Sequence, residues 1–331
     1  MKKIFYSKKK LFKTILVFAQ SNDSVAVKVV IKTFIPFFLL LYFSFILYDK
    51  SLLLAMLCAV PIHFFHSRIF VIMHDCGHFS FFKNRLLNTL LGHICGIFFM
   101  TPFLMWRELH NKHHKNQGCL ELRGASLDVW TMTKNEFKHQ SQFKKIIYKI
   151  YRNPIVLFLI APFVLFGLIF RFPFERFSFK AVVNIFVLNI LIFLFYKYLI
   201  TWLGLTKWFY LQVPWMSLSF ILAAWLFYIQ HQFTDTIWQK KENFKTDEIA
   251  LLGSSFYLLP KWLNWATADI GYHHIHHFNV RIPLYSLEKA HNCLTNTFKD
   301  IKISQITLTE SFWCFRLKLW DEDLKKLVPF N

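Results

Sequence analysis

The sequence predicts an all-α integral membrane protein of about four transmembrane helices, set as two hairpins beneath a helical cap on the cytoplasmic side. Three observations predict this class. The 331 residues are 55% hydrophobic and 19% aromatic, with 41 Phe, too apolar for an ordinary soluble domain. Apolar runs near the ~20 residues a helix needs to cross the hydrocarbon recur along the chain. Only nine Gly and ten Pro interrupt them, so most of the chain should be helical.

The elements follow in order. Residues 1–30 form a basic leader with Lys at 2, 3, 8, 9, 10, 13 and 28 against the single acid Asp23, and Lys32 follows. This bias sets the N-terminus in the cytoplasm. The apolar core Thr14–Ala19 is short for a signal peptide and reads as an amphipathic or interfacial leader. Runs over 31–48 and 52–72 are parted only by Asp49-Lys50-Ser51, which makes a tight hairpin. Run 86–105 carries Gly92, His93, Gly96 and Pro102. Run 154–171 carries Pro154 and Pro162 and is flanked by Arg152 and Arg171. Runs 182–204 and 208–229 make the second hairpin. Residues 31–295 are thus one membrane domain, and 296–331 a C-terminal cytoplasmic tail.

Three histidine clusters punctuate these runs: His74 and His78; His110, His113 and His114; His273, His276 and His277. Their i, i+4 and i, i+3, i+4 spacings stack imidazoles on one helix face, within reach of a shared ion. If all three bind one centre they share a side, so an even number of crossings separates each from the next. Runs 86–105 and 154–171 therefore do not cross and are re-entrant or interfacial. His63, His66 and Arg68, inside the second run, are read as structural or as supporting the site.

Imidazole suits iron, copper, nickel and zinc, but one zinc takes about four ligands, so eight histidines can saturate two metals. A structural zinc site would bring cysteines. The six here form no C-x-x-C pair and read as reduced thiols. Two irons held by neutral imidazoles would activate dioxygen against an oily, unactivated methylene. The net charge of +20 is spread among the runs and does not alternate with aromatics, which argues against a nucleic-acid partner. It suits anionic headgroups or an acidic protein partner.

The pattern H-x3-H, H-x2-HH, H-x2-HH in a membrane protein of this length resembles the membrane fatty acid desaturases, most of all the acyl-lipid Δ12 (ω-6) type. Local strings share the likeness: His74-Asp-Cys-Gly-His-Phe-Ser-Phe-Phe82, Thr101-Pro102 leading to Trp106-Arg107, Asp128-Val-Trp-Thr131, Gln230-His-Gln-Phe-Thr-Asp235, and Gly271-Tyr-His-His-Ile-His-His277 with Arg281-Ile-Pro283. The resemblance implies a ninth ligand, His231, beside the eight box histidines, and two Fe ions with O2 as co-substrate. It also implies insertion of a cis double bond, at Δ12 of an oleoyl chain in a membrane lipid. The two electrons would come from a separate donor such as ferredoxin, or cytochrome b5. An acyl hydroxylase or conjugase on the same scaffold is the alternative within enzymes, and a histidine-rich metal transport protein the alternative outside them.

Outer carboxylates usually orient metal-bound imidazoles. Asp269, four residues before His273 on what would be the same helical face, and Asp235 are the expected acceptors, while Asp75 and Asp128 also adjoin the clusters. His274 points about 100° away from His273 on a helix and is not expected to ligate. His93, His139 and His291 lack partners at metal spacing. Trp106, Trp130 and Trp265 are the expected aromatic neighbours of the cap.

Overall fold

The computed structural model describes residues 6–124 and 128–330, so Lys2 and Lys3 of the expected leader lie outside it. Helix α1 (Lys8–Ile15), capped by Ser7, buries Leu11 and Ile15 and packs against residues 287–297. Asn22 then caps α2 (Asp23–Tyr48), so the first long helix begins inside the stretch expected as leader. The chain turns at Asp49-Lys50, Ser51 caps α3 (Leu52–Leu57), and α3 runs on into α4 (Ala59–Gly77).

Helices α5 (Arg85–Phe98) and α6 (Phe103–Asn116) meet at a sharp bend of 102°. The cause is local. Gly96 lies so near the Thr101 carbonyl that a Cβ there would sit 2.5 Å from it, and Pro102 opens α6. Next come β1 (Met132–Thr133), α7 (Lys134–His139) and α8 (Gln142–Tyr151). A π-turn over Val156–Ile160 leads into α9 (Ala161–Gly167), and this segment is bent 59° from α8. Pro162, with no N–H to give to the preceding turn, is the residue that breaks the regular ladder.

Helices α10 (Phe179–Leu203) and α11 (Leu205–His231) form the second hairpin about Gly204, whose φ of 79° suits glycine. Among the described residues, four helices are long and apolar enough to cross a membrane: Asp23–Tyr48, Leu52–Gly77, Phe179–Leu203 and Leu205–His231. Lys207 Nζ reaches Asp49 Oδ2 at 2.8 Å, so both hairpin turns lie at one end. His74 and His231, at the far ends of the second and fourth long helices, lie at the other. Glu108 of α6 accepts from Ser178 N at 3.1 Å, and Leu104 N donates to Asn184 Oδ1 at 2.9 Å, which fixes α6 against α10.

The rest builds the cap: α12 (Thr246–Leu252), β2 (Phe256–Leu258), α13 (Lys261–Ala266), α14 (His273–Phe278), α15 (Leu287–Thr297), β3 (Gln305–Thr307), α16 (Leu308–Cys314), β4 (Leu319–Asp321) and β5 (Lys326–Val328). The all-α expectation needs amendment by these five short strands, in the orders β1-β4-β5 and β2-β3. The stretch expected as a tail is knitted into the cap, since β3 pairs with β2 and β4 with β1. Arg152 fastens it further: fully buried, it donates to the carbonyls of Trp130 (3.2 Å) and Leu317 (2.7 Å), to Thr131 Oγ1 (3.0 Å) and to Gln232 Oε1 (3.2 Å).

Candidate metal centre

Four elements carry the clustered histidines to one place: the C-terminal end of α4, the body of α6, the last residue of α11, and α14. His74, His78, His110, His114 and His276 form one group, and His113, His231, His273 and His277 a second. Within each group the nearest ring nitrogens all lie within 4.8 Å of one another. The two H-x2-HH strings divide in the same way. Each gives its i, i+4 pair to one group and the intervening histidine to the other, because that residue is rotated off the pair's face.

Around three of the rings the outer hydrogen bonds leave the inner nitrogen as an acceptor without a donor. A neutral imidazole carries one N–H, so donation from Nδ1 leaves a lone pair on Nε2. His74 Nδ1 donates to Asp75 Oδ1 at 3.0 Å, His113 Nδ1 to Asp128 Oδ1 at 2.5 Å, and His231 Nδ1 to the Gly253 carbonyl at 3.3 Å. His113 Nε2 and His273 Nε2 nevertheless each face His231 Nε2 at 3.1 Å. In the other group His114 Nε2 lies 2.9 Å from His110 Nε2 and 3.0 Å from His276 Nε2. The Nε2 atoms of His74, His78 and His277 are buried without a partner. Nitrogens that each stand about 2.1 Å from a shared ion lie about 3 Å apart, so both groups fit a metal held by imidazole.

Burial first, then the neighbouring imidazoles, holds His110, His114, His276 and His277 well below the usual imidazole range. The rings are thereby kept in the uncharged form that ligates.

The carboxylates that meet the rings differ from the two expected. Asp269 is not on the helix of His273: α14 starts at His273, and Asp269 sits in a left-handed turn with φ 58°. It faces Arg68, and burial raises its carboxyl to about 6 while that cation opposes the rise. Asp235 is exposed. Asp75 and Asp128 hold the acceptor role instead. Asp75 also accepts Leu284 N at 2.6 Å, which joins the first cluster to the turn after the third. Their signal in the sequence was adjacency to the boxes; an exact helical spacing misled because it assumed a helix that had not yet begun.

Other residues fall as follows. His274 turns away from both groups and pairs with His291 Nδ1 at 3.0 Å. His93 lies 3.3 Å from Asn184 Nδ2, and His139 Nδ1 donates to the Asn135 carbonyl at 2.9 Å. His66 Nε2 donates to Phe98 O at 3.0 Å, inside the helix bundle. Trp106 stacks on His110 at 4.4 Å, whereas Trp130 packs on Tyr148 and Trp265 lies under the Arg68 guanidinium.

A cavity of about 400 Å³ begins at His74, His110, His113 and His273 and runs between α4, α9 and α11. Phe158, Ala161, Phe166, Ala223 and Ala224 are among its walls, which are mostly apolar. The sequence offered no means of telling these wall residues from lipid-facing ones.

A family model described as fatty acid desaturase matches residues 50–309. The chain is 37% identical over 329 residues to a protein named fatty acid desaturase from Bacillus subtilis, covering 99% of this chain and 92% of that one. It is 28% identical over 237 residues to an sn-1 oleoyl-lipid 12-desaturase of Synechocystis, covering 68% of this chain and 64% of the relative. To an sn-1 acyl-lipid omega-3 desaturase (ferredoxin) of Nostoc it is 29% identical over 239 residues, covering 67% and 62%.

Proposed function

The chain belongs to the fatty acid desaturase family, and from that premise we propose that it inserts a cis double bond into the acyl chain of a membrane lipid at a di-iron centre. The reaction removes one hydrogen from each of two adjacent methylenes. With O2, two electrons from a donor and two protons, it yields the alkene and two waters. The observation that carries the reading is the placement of two imidazole groups at the head of an apolar cavity.

His74, His78, His110, His114 and His276 would hold one iron, and His113, His231, His273 and His277 the other. Bound there, the irons supply the oxidant that no side chain can provide. The residues of the chain do the rest. Asp75, Asp128 and the Gly253 carbonyl hold the rings in register by taking their outer N–H protons. The cavity walls exclude water and lay an acyl chain against the histidine end.

Oleoyl at Δ12 is the substrate position we assign, on the likeness of this chain to proteins named for that activity. The electron donor is a separate acidic protein of the ferredoxin class, supported by the net charge of +20. The histidine end faces the cytoplasm, a reading supported by the lysine-rich α1, which packs on the cap beside it.

The test is expression in a host of defined saturated and monounsaturated lipids, followed by location of any new double bond by mass spectrometry. A Δ12 diene is expected from oleate, and His276→Ala should abolish it. A hydroxylated chain without new unsaturation would overturn the proposal.

A further inference from the structure

Helix α8 carries a largely exposed apolar stripe. At 100° per residue Phe143, Ile146, Ile147 and Ile150 share one face, and they are 72%, 55%, 42% and 57% exposed. Tyr148, on the opposite face, is fully buried, so the stripe points away from the protein body. Lys144 and Lys149 are exposed on its two flanks, and α8 holds no acidic residue. The apolar band continues past the helix through Ile155, Leu159, Ile160 and Leu168, all exposed.

We propose that α8 lies flat on anionic phospholipid, with the stripe among the acyl chains and Lys144 and Lys149 on headgroup phosphates. An outward apolar face edged by lysines is the pattern of an interfacial helix. The continuity of the band with the broken segment 155–168 joins α8 to the lipid-facing surface of the same molecule. A second copy fits this face poorly, because a two-fold contact through α8 would set lysine against lysine with no acid on either helix.

Tyr151, the last residue of α8, also lines the cavity, and its hydroxyl accepts Trp130 N at 3.1 Å. Docking therefore holds that end of the cavity at the leaflet surface. This consequence for chain entry rests on the acyl-chain reading of the cavity, whereas the docking itself does not.

The test is hydrogen–deuterium exchange of residues 142–151 in the full-length protein. It is reconstituted in phosphatidylcholine nanodiscs with and without phosphatidylglycerol, with iron content measured in parallel. Exchange is expected to slow in the anionic discs. The Lys144→Gln/Lys149→Gln variant should shrink that difference by about tenfold or more, the combined strength of two lysines near an anionic surface. Ile146→Glu/Ile150→Glu should remove protection in both lipids while iron content holds. Equal exchange in the two lipids overturns the proposal, as does protection that grows with protein concentration in lipid-free detergent, which would mark a second copy. Lipid-dependent protection together with a failed double-bond assay would sink the desaturation reading alone.

Discussion

His113 Nδ1 and Asp128 Oδ1 meet at 2.5 Å across fifteen residues of chain. The contact ties the loop after α6 to the one α6 histidine that joins the second group. Asp128→Asn keeps the volume but loses the charge that fixes the ring. Iron retention against a chelator should fall about 10–100-fold, the usual cost of losing such a partner. Asp235→Asn, at an exposed site, should leave retention unchanged. Equal retention in all three proteins would remove Asp128 from the role.

Asp75 is predicted to do more than orient His74, because its second oxygen takes Leu284 N at 2.6 Å. Asp75→Ala strands that buried amide, at a cost of about 1–3 kcal/mol. Thermal unfolding in detergent should show this loss in the metal-free protein as well. A destabilisation seen only with iron bound would refute the second part of the role.

The bend between α5 and α6 depends on one missing methyl group. Gly96→Ala brings a Cβ to 2.5 Å from the Thr101 carbonyl, so the turn must open and α6 must shift with its three histidines. Iron content per chain should drop sharply. Gly167→Ala is the comparison, since a Cβ there meets nothing within 4 Å. Iron content in that variant should match the parent protein.

Arg152 is a buried cation whose acceptors are all uncharged, among them Gln232 at 3.2 Å and the Leu317 carbonyl at 2.7 Å. Arg152→Met removes all of these donations at once, leaving Tyr228 Oη at 3.2 Å from the Leu317 carbonyl, and should cost about 3 kcal/mol or more, given the strength of hydrogen bonds to charged groups. Limited proteolysis should then cut first near residues 315–330. Cleavage elsewhere, with that segment intact, would show that Arg152 does not fasten it.

Ala161 and Ala224 are small residues in the cavity wall. Ala224→Phe shortens the space available to a chain, so product analysis should show a shift toward shorter acyl chains with iron content unchanged. Unaltered chain-length preference would mean that substrate lies elsewhere.

The gathering of the histidines, the two hairpins and the breaks within runs 86–105 and 154–171 were legible because each rests on a periodicity or a composition that survives without tertiary context. The acceptor carboxylates were not. Asp269 sits at the right interval before His273, but Ala268 and Asp269 take φ of 53° and 58°, and a left-handed turn cannot be read from Ala-Asp. The strands β1 to β5 are two or three residues long, and β1–β4 and β2–β3 pair across distant stretches of chain, so no local alternation announced them. The cavity walls use the same Phe, Leu and Ala as the lipid-facing surface. Membership of an enzyme family replaces the metal-transport alternative.

The pairing of β4 with β1, together with the Arg152 bond to Leu317, also sets an order in time. The shell around Trp130 and Thr131, two residues from the acceptor of His113, closes only after residues 317–320 have left the ribosome. Histidines from four helices can gather earlier, but their outer support cannot. A closed cap thus requires translation through residue 320, and a chain cut short before it would present the gathered histidines without that shell.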